Sequence, residues 1–416
     1  MRILVLIIQF PPDVNSSGAL MAQLCEDLRD RGHEISVITT FPHYARFTIE
    51  EPFRGKLFQR STYKGMDVLR TWVYAHGSKQ RMLTRLLSYL SFNLLATIAG
   101  LLSHRRYDVI LCSNGSFFSG LAASVIGAVR NIPFIYNVQD LYPETPVQAG
   151  QLRNGMAIRT LEALERFMYS RAAHVSVIAP GFRNNILTKG VAPQQVSTIP
   201  NFVDTNFVRP LPKDNAFSRK HGLNDKFVVT HAGNVGYVYD LETLLEAAAL
   251  LRYEKDILFL VIGDGVARAD LQARAQELEL TNVRFLPFQP REQVPLMRAA
   301  SDVQLALYKH GSSRYSMPSK VYEIMASARP VLASADWQSD LWELVTSTGC
   351  GVCIEPDEPE KLAAAILTMR ATPRQSADMG RRGRIAAEQF YSRDAVVAQY
   401  DQLIHSLTQN SEVTAW

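Results

Sequence analysis

Lys320 and Glu323 stand three residues apart in the run Arg314 to Ser334, Arg-Tyr-Ser-Met-Pro-Ser-Lys-Val-Tyr-Glu-Ile-Met-Ala-Ser-Ala-Arg-Pro-Val-Leu-Ala-Ser. On a helix that spacing puts an ammonium and a carboxylate on one face. Pro318 suits a first helical turn, where its missing N–H would be unpaired in any case. Ser316 and Ser319 could accept hydrogen bonds from the free amides of that turn. Free amides, a positive dipole end and Lys320 together suit a phosphate. Glu323, one turn on, could accept bonds from sugar hydroxyls. An exposed Lys–Glu pair on an ordinary helix explains the same two residues, so the rest of the chain has to decide.

Three strand-like runs precede that stretch. Phe227–Ala232 ends in Gly233-Asn234-Val235-Gly236, Ile257–Ile262 in Gly263-Asp264-Gly265, and Val303–Leu307 in Tyr308-Lys309-His310-Gly311. Between them lie helical patterns such as Leu241, Leu244, Leu245 and Ala248. Alternating strands and helices make a parallel sheet, and all these loops then open on its carboxyl edge. That edge gathers Gly233, Asn234, Gly236, Gly263, Asp264, Gly265, Lys309, Pro318, Ser319, Lys320 and Glu323, a set suited to a nucleoside diphosphate. No Asp-x-Asp occurs, and no His/carboxylate cluster has ligand spacing. No metal site is expected; lysines and helix amides must supply the positive field.

The first half has the same alternation. Ile3–Ile8 reads as a strand buried on both faces. A loop to Gly18 follows, then a helix with Leu20, Leu24 and Leu28, a stop at Gly32, and a second strand at Glu34–Thr39. The turn lacks G-x-G-x-x-G; Gly18 either lets a ligand approach the backbone or starts the helix. Phe41–Gly77 reads as polar and irregular, with His43 and His76 as candidate pocket residues. Phe134–Val138 leads into Gln139-Asp140-Leu141-Tyr142-Pro143-Glu144, so Asp140 stands at a strand end as a ligand or a turn cap. Leu86–Ser103 carries no charge but contains Ser88, Ser91, Asn93, Thr97 and Gly100, with Arg81, Arg85, Arg105 and Arg106 around it. It reads as a helix docked on the sheet, either wholly buried or partly facing an anionic membrane surface, rather than a spanning segment.

A chain of 416 residues is too long for one ordinary core, and a Pro/Asn/Asp-rich loop at Ile199–Asp204 marks the boundary between two domains. The domains are expected at 1–203, joined by a C-terminal helix at about 390–416, and at 204–389. A net charge of +4 without basic runs calls for no nucleic acid. The four cysteines, including Cys350-x-x-Cys353, fit small buried residues in a reducing cytoplasm. The N-terminus, with one Arg2 and no cleavage pattern before Pro11-Pro12, reads as a strand rather than a leader.

The ordered set Arg31-Gly32-His33-Glu34, Val138–Glu144, Ile199–Asp204, Gly233–Gly236, Gly263–Gly265 and Pro318–Ala326 resembles the retaining glycosyltransferases of family four over essentially the full length. It is most similar to the bacterial polysaccharide branch with the fucosamine and colanic-acid fucose transferases. The resemblance implies the GT-B architecture: two Rossmann-like domains across a cleft, nucleotide sugar held by the second, acceptor by the first, and a last helix crossing back. It implies a UDP-sugar donor, with GDP the alternative, and a glycan or undecaprenyl-diphosphate-linked acceptor at the cytoplasmic face of the inner membrane. Glu323 matches the glutamate that holds the donor ribose. Asn234 and Tyr239 stand where the family carries Arg and Lys, Tyr315 where a first glutamate is usual, Gln139 where His precedes Asp140, and Ala328 where Gly is usual. Lys309 and Lys320 are then expected to replace the missing charge, with Asp140 serving the acceptor side. A nucleotide-sugar epimerase or hydrolase on the same architecture is the alternative activity.

Overall fold

The computed structural model describes residues 1–413 apart from 14, 45–46, 77–81, 149 and 151, with side chains through residue 408. Arg81 and Gly77 therefore lie outside the described residues. Two compact units divide the chain: Met1–Pro200 with Val396 onward, and Asn201–Ala395. Each is a doubly wound α/β unit, the expected fold class.

The first unit runs β1 (Arg2–Leu6), α1 (Ser16–Asp30), β2 (Glu34–Thr40), β3 (Phe58–Tyr63), β4 (Met66–Thr71), α2 (Met82–Leu101), β5 (Val109–Ser113), α3 (Ser119–Arg130), β6 (Phe134–Val138), α4 (Glu144–Gln148), α5 (Gly155–Arg171), β7 (His174–Val177), α6 (Pro180–Thr188) and β8 (Val196–Thr198). The sheet order is β3-β4-β2-β1-β5-β6-β7-β8. All pairs are parallel except β3–β4. The β3–β4 hairpin replaces the irregular segment expected over Phe41–Gly77. Its turn residues Lys64 and Gly65 have φ of 46° and 80°, the left-handed pair that matches strand twist. As an edge strand β3 alternates exposed and half-buried residues, so it lacks the apolar run that reveals inner strands.

The second unit runs α7 (Ala216–His221), β9 (Phe227–Ala232), α8 (Leu241–Leu250), β10 (Ile257–Ile262), α9 (Arg268–Glu277), β11 (Val283–Leu286), α10 (Val294–Ala299), β12 (Val303–Leu307), α11 (Lys320–Ala326), β13 (Val331–Ser334), α12 (Asp340–Thr348), β14 (Gly351–Ile354), α13 (Pro359–Ala371) and α14 (Pro373–Phe390). Its sheet, β11-β10-β9-β12-β13-β14, is wholly parallel. Strand β10 is buried at all six positions, the reason it reads as an unbroken apolar run. Strand order reverses between β9 and β12, where open α/β sheets form a crevice.

The last helix, α15 (Arg393–Val413), belongs to the first unit from Val396 on. There Asn137 donates to Tyr400 Oη at 2.7 Å and His33 Nε2 meets Asp401 at 2.8 Å. Ala328, where glycine is usual, holds a left-handed φ of 53°, a conformation that disfavours a side chain.

Helix α2 is apolar on both sides. It buries Phe92, Ala96 and Ala99 together with Thr84, Ser88 and Asn93, whereas Leu83, Leu86, Leu87, Leu90, Leu94 and Ile98 are exposed. Asn93 is held inside by bonds to Tyr89 O and Ser116 Oγ, both 2.7 Å. The helix is therefore not wholly buried.

Candidate functional site

At the switch point of the second unit the loops after β9 and β10 interlock backbone to backbone. Gly233, Gly263 and Gly265 have φ of 145°, 139° and 159°. A Cβ on Gly263 would lie 1.8 Å from Gly233 O, and one on Gly265 2.2 Å from Val235 O. Val235 N bonds Asp264 O at 2.9 Å. The glycines thus serve close loop packing as well as open backbone. Asn234 contributes its carbonyl to His231 and packs its amide beside Gly236 and Gly265. Asp264, exposed, caps its own loop by accepting from Gly265 N at 2.8 Å.

Lys320 reaches this crevice from α11. Its ammonium sits 4.9 Å from the Tyr239 ring centre and 3.4 Å from His231 Nδ1, and its Cδ would touch a Cβ on Gly233 at 3.7 Å. Among the described residues no carboxylate pairs with it. Burial, and to a lesser degree the nearby Arg298 charge, lowers its pKa to about 7. Burial, reinforced by Lys320, keeps His231 neutral. A neutral His231 with its Nε2–H toward Asn234 O, 3.3 Å away, leaves Nδ1 to accept from Lys320. The cation thus stands against Tyr239, on the ring of the residue aligned with the missing lysine.

Glu323 is on the same helix, with Oε2 2.6 Å from Arg298 Nη2. Arg298 is 4% exposed and also donates to Gln304 Oε1 at 2.6 Å. One carboxylate oxygen is held by the buried arginine, and the other is available to a ligand. Arg298 escaped the sequence reading. Its only signal is a lone charge in the apolar stretch Met297-Arg298-Ala299-Ala300.

The helix start differs from expectation. Pro318 and Ser319 precede α11 rather than lying in its first turn, and Ser319 makes no side-chain cap. The chain enters through Val321 N→Pro318 O and Tyr322 N→Ser319 O bonds instead. With seven residues the helix contributes a small dipole, so Lys320 is the main fixed positive charge there. Lys309 is not brought to Lys320's contacts. Its ammonium turns to Glu242 at 3.7 Å, and its amide bonds Val238 O.

In the first unit Asp140 lies exposed after β6. Its main chain is clamped by buried Asn114, which donates to Asp140 O at 2.6 Å and accepts from Gln139 N at 2.7 Å. The surrounding protein raises the Asp140 pKa and Arg85 lowers it; its solvent access favours the ionised form at neutral pH. Beyond it, Lys189 bridges Glu144 at 2.8 Å and Glu165 at 2.6 Å and donates to Tyr142 O. This pins the loop that carries Asp140. Burial pushes Glu165 up to about 7 despite Lys189.

Gly18 is explained by packing: a Cβ there would lie 2.7 Å from Gln9 O and from the Asn15 cap oxygen. His43 is 2% exposed and faces Phe41 O and Asp13; His76 is exposed beside Tyr74. Ligand spacing absent from the sequence does arise in space, where His33, Asp401 and His405 bring ligand atoms within 4.8 Å. Arg31 also pairs with Asp401, and the group joins α15 to the α1–β2 turn.

Two domain families match the chain: "Glycosyl transferase 4-like domain" over residues 17–201 and "Glycosyl transferases group 1" over residues 213–386. The chain is thus a glycosyltransferase and belongs to family four. It is 25% identical to the putative colanic acid biosynthesis glycosyl transferase WcaI of Escherichia coli K12, covering 96% of this chain and 98% of that one. It is 26% identical to the probable glycosyltransferase WbjE of Pseudomonas aeruginosa, covering 82% and 85%. Among solved structures it is similar to sucrose-phosphate synthase from Thermosynechococcus elongatus, with a TM-score of 0.75, 18% identity and coverage of 98% and 99%. It is also similar to Anabaena Alr3699/HepE in complex with UDP, with a TM-score of 0.73, 18% identity and coverage of 98% and 100%. The fold is GT-B.

Proposed function

We propose that the protein transfers a sugar from a UDP-sugar to a glycan or undecaprenyl-diphosphate-linked acceptor in bacterial surface-polysaccharide synthesis, with retention of anomeric configuration and without a metal. The observation that carries the donor reading is Lys320, a half-buried ammonium without a carboxylate partner among the described residues, set between glycine loops at the sheet's switch point. A diphosphate supplies the missing counter-charge. The UDP bound by the Anabaena protein and the polysaccharide role named for the Escherichia coli relative support the choices of base and pathway class. Incubation with a panel of UDP- and GDP-sugars, with and without acceptor, tests it. Acceptor-dependent product with the donor's anomeric configuration by NMR is expected, and inverted product overturns the mechanism.

On this reading the leaving β-phosphate takes the acceptor hydroxyl's proton on the face where the new bond forms, while Lys320 stabilises its growing charge. Glu323 holds the ribose through the oxygen that Arg298 leaves unoccupied. Glu323→Gln is expected to weaken uridine and UDP alike, by about 1.5–3 kcal/mol for a charge-assisted bond, as read by calorimetry. Loss for UDP alone would remove Glu323 from the ribose. EDTA is expected to leave turnover within about twofold; abolition reversed by manganese would assign a metal to the diphosphate.

The leucine face of α2 supports peripheral attachment to the cytoplasmic surface of the inner membrane, where a lipid-linked acceptor resides. Polar side chains turned inward and leucines turned outward fit a helix whose outer surroundings are apolar.

A further inference from the structure

A groove of about 350 Å³ lies in the first unit where β2, β4 and β3 meet the end of α2. Ile38 and Leu69 form its sheet side, and Ile98 and Leu102 its helix side. It lies along the middle of β2, at Ser36–Ile38, and along Asp67–Leu69 of β4. Its helix wall is not a closed core: Leu102 is 72% exposed and Ile98 38%. These two residues end a row at spacing four, Leu86, Leu90, Leu94, Ile98, Leu102, exposed along its whole length. The outward apolar face of α2 therefore runs without interruption into the groove. Arg60 and Arg105 stand at the rim, where Asp67 is already engaged by Arg105.

We propose that this groove takes one acyl chain of an anionic membrane phospholipid, resting on the membrane-surface reading of α2. The chain leaves the bilayer along the α2 row and enters between Leu102 and the sheet. Ile38, Leu69 and Ile98 offer it an apolar lining, while Arg60, which also lines the groove, meets the headgroup. The groove lies within the size range of small-ligand pockets. A chain held there would fix the rotation of α2 against the bilayer, which adsorption of a leucine face alone leaves free.

The test uses the full chain without detergent. Short-chain phosphatidylglycerol, kept below its micelle concentration, is titrated and bound lipid is counted by native mass spectrometry. One lipid per chain is expected, with occupancy reduced about tenfold or more in Leu102→Glu, which places a charge on the groove wall. Leu83→Glu, on the outward face away from the groove, should bind the single lipid normally yet fail to float with phosphatidylglycerol vesicles. Both substituted positions are exposed, so folding is retained. No lipid uptake, or equal uptake by Leu102→Glu, overturns the groove. So does a wild-type dimer that Leu102→Glu dissociates, since a second copy would then cover the row. Single-lipid uptake without vesicle binding by the wild type would overturn the membrane reading and leave the groove standing.

Discussion

Lys320→Met is expected to stabilise the ligand-free protein and at the same time remove the added response that the diphosphate gives over the nucleoside. The ammonium is half-buried without an anionic partner among the described residues, so folding lowers its pKa from 10.5 to about 7. A lowered lysine pKa means the unfolded chain binds the proton more tightly. The cost to folding is therefore full below about pH 7 and disappears as pH rises toward the unfolded value. Methionine fills a similar space without a charge, for a gain of about 1–3 kcal/mol at neutral pH, or a few degrees in Tm. The same change removes the charge that stabilises the leaving phosphate, at roughly 10²–10³ in turnover. UDP should raise the wild-type Tm well beyond what uridine does, whereas the variant should respond to UDP no more than to uridine. Binding of UDP to the wild type should take up a proton near pH 7–9, visible by calorimetry in buffers of different ionisation enthalpy. A variant that is destabilised, or that keeps the added UDP shift, would take Lys320 out of the phosphate site.

Asp140→Asn is expected to lower turnover by about 10²–10⁴ if the carboxylate relays the acceptor hydroxyl's proton toward the leaving phosphate, with Tm unchanged. The unchanged Tm follows from the clamp: Asn114 holds the Asp140 main chain, and none of those bonds uses the carboxylate. Asp140 must be ionised to act, and its pKa is raised by the protein packed around it and pulled back by Arg85. Activity should therefore fall on the acid side, and Arg85→Met should move that limb to higher pH. A rise in KM with normal turnover would instead assign Asp140 to positioning. Near-normal values for both would leave it a loop residue.

The buried runs Ile3–Ile8 and Ile257–Ile262, the glycine pairs and the Pro318–Ala326 stretch were legible because burial on both faces and close backbone packing restrict residue types at fixed local spacing. The β3–β4 hairpin was not, because an edge strand alternates and resembles a loop in composition. Lys309 shows the limit of placing a residue at a sheet edge: the edge was visible, but not the turn of its side chain toward Glu242.

The sequence by itself determined the two doubly wound sheets, the family and the placing of Lys320 and Glu323 on one short helix, since each depends on local periodicity or an ordered motif. Only the tertiary structure decided what those groups can do. Burial beside His231 and Tyr239 lowers the Lys320 pKa, Arg298 orients Glu323 across 25 residues of chain, and α2 turns its asparagine inward and its leucines out. Those effects come from desolvation and from partners distant in sequence. Both are properties of where the chain returns in space, and no local spacing encodes them.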